Sequence, residues 1–534
     1  MGTKELNAVA IEVLWTRIIS AVDEAAKVIV RTSFSTLSNE ANDFACVLTD
    51  ECGNSLAQNT GSIPSFIGTL PATVKHFLAK FGAEKMQPGD VFVTNDPWKG
   101  TGHLNDISLV KPIFRNGVLV AFAATTSHVP DIGGRIRSIE PREVFEEGFH
   151  IPLMRFISAG KPDDTLIELL RENVRTPDQT TGDVWAQVGA IDLIEKRILG
   201  MMREHDLTDL RGLAAELFSR SERAMREAIE ALPDGIYRYE ITTDGVESPL
   251  SFKLALTIEG GELELDYAGT SPQQPRAINC VYAYTFAMSI YALKCSLLPN
   301  LPNNEGILRA VKVRAPEGSV LNPVFPVAVG ARAATGHYVP VLVFGALHQI
   351  IPDRVMAAPG SPLWILTLSG VRTDGKPYAN VLFFNGGTGG RASGDGVSCL
   401  SWPSNISSTP VEVSEHNDPL FIHYKRLRAN SGGAGEFRGG LGQDILLEST
   451  SATDIQAVFM TERTRIPAPG LGGGNPGGLG EVWINDKLVN NRVQHILKTG
   501  DRILMRTPGG GGYNSSATRT KAQNEIDREL GYVE

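Results

Sequence analysis

Cysteine is scarce: the 534-residue chain has five, Cys46, Cys52, Cys280, Cys295 and Cys399, with no CxxC pair and one left over in any pairing. That excludes a disulfide framework and a cysteine zinc cluster, and suits a reducing cytoplasm. Positive charge is not in excess either, since 50 Lys and Arg stand against 60 Asp and Glu for a formal charge of −10. The balance argues against nucleic acid or an anionic membrane as partner. Long apolar runs are missing: HYVPVLVFGALHQI is too short and too polar to span a bilayer. MGTKELN carries no basic-then-apolar signal pattern. No GxxxxGK[ST] phosphate cradle occurs, because GKP at 160–162 and 375–377 lacks the hydroxyl residue. A soluble, cytoplasmic protein without a nucleotide site of its own is expected.

What is plentiful is glycine, 55 residues, concentrated after residue 380 in GGTGG, SGGAGEFRGGLG, GLGGGNPGGLG and TPGGGGY. These blocks read as turns between strands; an anion nest in TPGGGGY is the less favoured account. Ahead of them, Ile11, Leu14, Ile18, Val22, Ala25 and Ile29 recur at helical spacing. FACVLTDECGNSLAQ reads as two strands around a turn, PATVKHFLAKF as a helix, and 163–231 as mostly helical. GIYRYEITTDG and SFKLALTIEGGELELDYAG alternate as strands. The expected architecture is a multi-domain α+β protein with a β-rich, Gly-rich C-terminal region. Its expected parts are an N-terminal metal-site domain over 1–205, a central α+β region over 206–400, the β-rich region over 401–513, and a mobile polar tail over 514–534.

The chemistry concentrates in two clusters, GHLND and SHVPD, in which His103 and His128 each stand three residues ahead of an aspartate, Asp106 and Asp131. Asn116-Gly117 between the apolar runs ISLVKPIF and VLVAFAATT is a hairpin signal. Taken as the two turn residues, they set Arg115 opposite Val118, Ile107 opposite Thr126 and Asn105 opposite His128, with both histidines on one face. In that register Asp106 points to the other face, so a loop or bulge before Ile107 must turn it inward. Two imidazoles and a carboxylate suit Zn, Mn or Fe with open positions. Asp131 and Asp96 are candidates for a fourth ligand, for an outer hydrogen bond to a ligand or, with Glu147, for a catalytic carboxylate. Spacing alone leaves a second reading open, in which both histidines only satisfy loop hydrogen bonds.

The landmarks NDPWKGTGHLND, SHVPDIGG, FEEGFHIP, RENVRTPDQTTGD, INCVYAYT, RAPEGSVLNP, EVSEHNDPL, SGGAGEFRGGLG and TPGGGGY, in this order, make the chain resemble the hydantoinase B/oxoprolinase family. In its acetone carboxylase branch a metal sits on a histidine, an aspartate three residues on and a histidine of the following strand. Carried over, these are His103, Asp106 and His128. Gly100-Thr101-Gly102 and Val129 depart from the family pattern, and the neighbouring pocket wall is expected to differ with them.

The resemblance implies a B-type subunit of an ATP-dependent cyclic-amide hydrolase acting on hydantoin-, oxoproline- or lactam-like rings. One divalent metal (Mn, Zn or Fe) would sit here. An A-type partner, in equal copies, would bind ATP and Mg and phosphorylate the substrate. The alternatives are a subunit of an ATP-dependent ketone carboxylase of the acetone or acetophenone type, and a non-catalytic structural subunit. Glu147, with Glu146 and His150, and Glu40 and Asp43 are candidates for a general base or pocket wall. Arg175 is a candidate for anion binding. His337 and His348 flank an apolar stretch and read as core or surface histidines.

Overall fold

The computed structural model describes residues 7–372 and 374–534. Its N-terminal part is built on a seven-stranded sheet. The strands are β1 (Phe44–Asp50), β2 (Ser55–Gln58), β3 (Val91–Thr94), β4 (Asp106–Arg115), β5 (Val118–His128), β6 (Met154–Ser158) and β7 (Lys161–Pro162). They lie in the order β2-β1-β5-β4-β3-β6-β7, with every pair antiparallel. Helices cover both faces, which is why the central strands read as continuous apolar runs. Cys46 and Leu48 of β1 pack on the stripe Ile11, Leu14, Ile18 and Val22 of the helix Ala8–Thr32, and on Ile191 and Ile194 of Pro177–Glu204. Ala45 and Val47 face Leu70, Val74 and Phe77 of the helix Thr69–Phe81 on the opposite side. The Asn7 side chain accepts from Ala10 N at 2.8 Å and starts the first helix.

The β4–β5 hairpin turns on Asn116 (φ 51°) and Gly117 (φ 78°), the left-handed pair that a tight hairpin turn requires. Arg115 faces Val118 and Phe114 faces Leu119 as expected, but Ile113 then faces Ala121, leaving Val120 as an extra residue. This bulge moves every later pair by one. Ile107 therefore lies opposite Ser127, and His128 opposite Asp106 rather than Asn105. The inward turn of Asp106, expected from a bulge before Ile107, comes instead from one near the far end of the hairpin.

The helix Arg211–Glu230 links this layer to the next, giving Leu213 and Leu217 to the first core and Met225 and Ile229 to the second. The second core lies under a four-stranded sheet of Gly235–Thr243, Leu250–Glu259, Glu262–Asp266 and Val311–Arg314. The helices Tyr282–Leu297 and Val339–Leu347 pack against it. A β-sandwich follows, one sheet carrying Trp364, Leu366 and Leu382 and the other Ile445, Leu447 and Met505. Its first strands, Trp364–Val371 and Pro377–Phe384, precede the expected boundary at 401.

Apart from the turn at Gly472-Gly473, the glycine-rich blocks do not reverse the chain as expected. Segments around 386–390, 431–442, 468–478 and 508–513 run side by side with carbonyl oxygens where side chains would stand. A Cβ on Gly387 would meet Gly440 O at 1.8 Å, and one on Gly510 would meet Thr388 O at 2.0 Å. Gly509, Gly510, Gly511, Gly512 and Tyr513 donate their N–H groups to Gly478, Gly440, Ala358, Asn475 and Phe437. TPGGGGY therefore has no amide free for an anion. The expected mobile tail also differs: it forms the helix Lys521–Glu529, capped by Thr520. Buried Asp527 pairs with Arg519 at 2.8 Å and Arg438 at 3.4 Å, so charge pairing holds a segment that has no apolar face. Among the described residues no helix is long and apolar enough to cross a membrane.

Candidate metal centre

The bulged register places His128, the last residue of β5, directly across from Asp106, the first of β4. His103 arrives from the turn before β4, where Gly102 adopts φ 114° and a Cβ would lie 2.8 Å from Arg332 Cδ. Only glycine lets that turn close over the arginine. His103 Nε2 is 2.7 Å and His128 Nδ1 is 3.1 Å from Asp106 Oδ1, and one ligand atom from each residue lies within 4.8 Å of the others. All three side chains are about 1% exposed.

The surroundings fix how each group points. Asp106 Oδ2 accepts from Thr101 Oγ1 at 2.6 Å and from Arg332 Nη2 at 2.6 Å. Burial alone would raise the Asp106 carboxyl, but Arg332 and the two imidazoles overcome it and hold it well below the usual carboxylate range. Burial, reinforced by the Arg332 charge, keeps His103 neutral by pushing its imidazolium pKa well below the ordinary value. Its Nδ1 lies 3.2 Å from Gly330 O. Gly330 N and Val329 N in turn donate to Glu147 Oε1 at 2.6 and 2.9 Å. A neutral imidazole carries one proton, yet His103 faces two acceptors, Gly330 O and Asp106 Oδ1. With the proton on Nδ1, the Nε2 lone pair points at a carboxylate oxygen 2.7 Å away, which a cation between them would relieve. Imidazole, carboxylate and imidazole, with the outer nitrogen of His103 held by a carbonyl, is a donor set that fits a divalent transition metal.

The other sequence candidates scatter. Asp131 is buried against Arg175, accepting from its guanidinium at 2.6 Å and from its main-chain N–H, so these two clamp a loop to the helix Pro177–Glu204. Asp96 lies 3.5 Å from His150 and caps Trp98 N at 2.9 Å. Glu147 holds the Gly330 loop behind His103 and does not join the trio; burial pushes its carboxyl up to about 8. Glu146 closes a capping box with Glu143. Glu40 ends the short helix Thr36–Asn39. Asp43 comes closest, its Oδ2 3.8 Å from His128 Nδ1 and its main-chain oxygen accepting from His128 N at 3.0 Å; burial raises its carboxyl. His337 is buried and stacked on Tyr284, with burial pushing it down to about 3. His348 pairs with the Tyr513 hydroxyl at 3.1 Å.

Arg332 and Arg137, which border the trio, escaped the sequence reading. Arg137 Nη1 lies 3.4 Å from His128 Nε2, and its Nε donates to Gly330 O at 3.2 Å. The one available signal was an arginine alone among small and apolar residues in PVAVGARAATG. A cleft of about 1130 Å³ lies between the loop holding Arg135 and Arg142 and the sandwich residues Arg465 and Arg492. Arg135 lines both this cleft and a small cavity beside Arg137.

Residues 7–516 match the family model described as hydantoinase B/oxoprolinase. A candidate B-type subunit of a D-/L-hydantoinase from Pseudomonas sp. (strain NS671) is 28% identical over 558 residues, spanning 99% of this chain and 94% of that relative. The crystal structure of the ATP-dependent caprolactamase from Pseudomonas jessenii superposes with a TM-score of 0.92 at 27% identity, covering 99% of this chain and 95% of that one. Nucleotide-free acetone carboxylase shares the fold with a TM-score of 0.90 at 20% identity, covering 99% of this chain and 78% of that one.

Proposed function

The chain belongs to the hydantoinase B/oxoprolinase family, and on that premise we propose that it is the B-type subunit of an ATP-dependent cyclic-amide hydrolase. In this reading an A-type partner, present in equal copies, binds ATP and Mg and phosphorylates a hydantoin-, oxoproline- or lactam-like ring. The present chain completes the ring opening at His103, Asp106 and His128. The observation that supports a hydrolase over a ketone carboxylase is the end-to-end likeness to the caprolactamase, 99% of one chain against 95% of the other.

His103 Nε2, Asp106 Oδ1 and His128 Nδ1 would hold one divalent ion (Mn, Zn or Fe). When bound, that ion supplies Lewis-acid polarisation to an oxygen of the substrate. The chain's own work is positional. Arg332 and Thr101 keep Asp106 ionised and aimed at the two imidazoles. Glu147 anchors the Gly330 loop, whose carbonyl fixes the ring of His103. Burial of all three donors excludes bulk water, which strengthens each electrostatic contact made there. No cysteine joins the trio, and three protein ligands leave positions open as catalytic sites do.

The test is ATP turnover and ring opening by the co-purified complex of the two chains with hydantoin, 5-oxoproline and caprolactam, with and without bicarbonate. Ring opening without bicarbonate, lost in His128→Ala, is the expected result. Turnover that requires bicarbonate would transfer the chain to the ketone carboxylases. An assembled His128→Ala complex with full turnover would give this chain a purely structural role.

A further inference from the structure

Opening a cyclic amide leaves a carboxylate, and the structure holds uncommitted donors beside the trio that suit one. Beyond Arg137, which contacts His128, lies a cavity of about 20 Å³ whose lining includes Asn105, Asp131, Arg137, Ser138, Glu147 and Gly330, with the Asp131 carboxylate already spent on Arg175. That is room for about one water-sized atom. Arg137 borders it with a guanidinium that no carboxylate pairs among the described residues, and its Nη2 has no hydrogen-bond partner there. Asn105 is 7% exposed. Its main-chain carbonyl accepts from Val129 N at 2.8 Å, but its side-chain amide has no partner among the described residues. Arg137 is half-buried and neither side chain is among the fully buried groups that lack a partner, so water reaches both, and a ligand oxygen entering the cavity would replace that water on two uncommitted donors.

Charge points the same way. Asp106 pairs with Arg332 while Arg137 has no carboxylate within ion-pair distance among the described residues, so a divalent ion on the trio leaves the cluster positive, which favours an anion. Proton placement adds to this. While His128 Nδ1 carries its proton toward Asp106, Nε2 is free to accept from Arg137 across a long 3.4 Å. Once Nδ1 gives its lone pair to an ion, the ring proton sits on Nε2 and Arg137 has no acceptor there. Arg137 is then available to the cavity.

We propose that Arg137 and Asn105 form a carboxylate pocket that takes one oxygen of a substrate- or product-borne carboxylate beside the metal centre. The proposal rests on the ring-opening reading above. Arg137 supplies charge and the Asn105 amide a neutral N–H, and the small volume admits a carboxylate oxygen but not a whole phosphoryl group.

The probe is formate, titrated calorimetrically into the full chain loaded with Mn²⁺ and into the same chain without metal. Binding should be stronger on the loaded chain. It should weaken by roughly tenfold or more in Arg137→Gln, and measurably in Asn105→Ala, with metal content unchanged in both. Asn105→Ala alone decides the matter if Arg137→Gln fails to fold. Equal formate binding in wild type and variants overturns the pocket. So does loss of metal in step with loss of formate in Arg137→Gln, because Arg137 would then only support His128. In the active complex, a higher KM for 5-oxoproline with an unchanged KM for caprolactam assigns the pocket to a ring-borne carboxylate. Weaker inhibition by the ring-opened product alone assigns it to the new one. Arg137-dependent formate binding in a complex that opens no ring upholds the pocket and overturns only the reaction.

Discussion

Two regions of this molecule bury dense polar matter, and they do so in opposite ways. In the glycine-rich packing around 386–390, 431–442 and 508–513, the polar groups are main-chain amides, and those of 509–513 each find a carbonyl on another segment. At the open end of the β4–β5 hairpin they are side chains, and they do not close on themselves. His103 has two acceptors for one proton, Arg332 Nε and Glu147 Oε2 have no partner, and the Asn105 amide faces a cavity. Unpaired buried groups occur elsewhere in the molecule too, but here they adjoin three metal-type donors, and that juxtaposition points to a ligand. Glycine richness, which in sequence hinted at an anion cradle, belongs to the closed region; the open region carries the chemistry.

The closed region should break first and hardest. A Cβ on Gly389 would lie 1.8 Å from Ala357 O, against main chain that cannot swing aside. Gly389→Ala is expected to cost more than about 4 kcal/mol and to leave little folded chain. Gly394, nearby in sequence, has open space and an ordinary φ, so Gly394→Ala should stay within about 0.5 kcal/mol of wild type. Urea denaturation of the two variants side by side checks both. A wild-type midpoint for Gly389→Ala would mean these segments do not pack as described.

In the open region the largest effect falls on Asp106, which serves the imidazoles through one oxygen and Arg332 through the other. Asp106→Asn strands a buried guanidinium and should cost about 3 kcal/mol, besides removing the ion. His128→Ala should also remove the ion, and at a smaller loss of stability because no charge is left unpaired. Metal content by mass spectrometry, read beside denaturation midpoints, separates the two. Equal destabilisation would mean that the Arg332–Asp106 pair contributes little.

Much of the open region was legible in sequence, because its elements are local. Asn116-Gly117 fixed the turn, and folding the hairpin there brought the start of β4 beside His128, with His103 three residues before that start. The register error came from Val120. Both faces of the hairpin are buried, so Leu119, Val120 and Ala121 look alike in either register, and nothing in their chemistry marks the bulge. Arg332 could not be paired with Asp106 from sequence, since more than two hundred residues separate them and Arg332 belongs to no spaced motif. The closed region was misread for a related reason. A glycine allows a turn and a backbone-to-backbone approach equally, and only the neighbouring segments decide between them.

Glu147 sits on the border between the two behaviours, and pH should reveal it. Burial raises its folded pKa from 4.5 to about 8, so the folded state holds its proton more tightly than the unfolded chain does. Its contribution to stability is therefore full below about pH 4.5, declines as pH rises toward 8 and is gone above that. The span is on the order of a few kcal/mol. Glu147→Gln keeps an acceptor for Val329 N and Gly330 N but cannot titrate, so its advantage over wild type should grow from pH 5.5 to pH 9. Parallel pH profiles for the two chains would mean that Glu147 is ionised throughout, with solvent reaching Oε2.

Asp96 should yield the smallest effect, and a useful one. It lies in the same loop system as His103 but spends its carboxylate on Trp98 N and on His150, away from the trio. Asparagine can still accept from Trp98 N, and the His150 contact at 3.5 Å is long and partly exposed. Asp96→Asn is expected to keep the full metal content and to lose less than about 1 kcal/mol of stability. A metal-depleted Asp96→Asn chain would extend the open region to a second carboxylate through the loop 96–103. The ion would then depend on how that loop delivers His103 as much as on the hairpin that delivers Asp106 and His128.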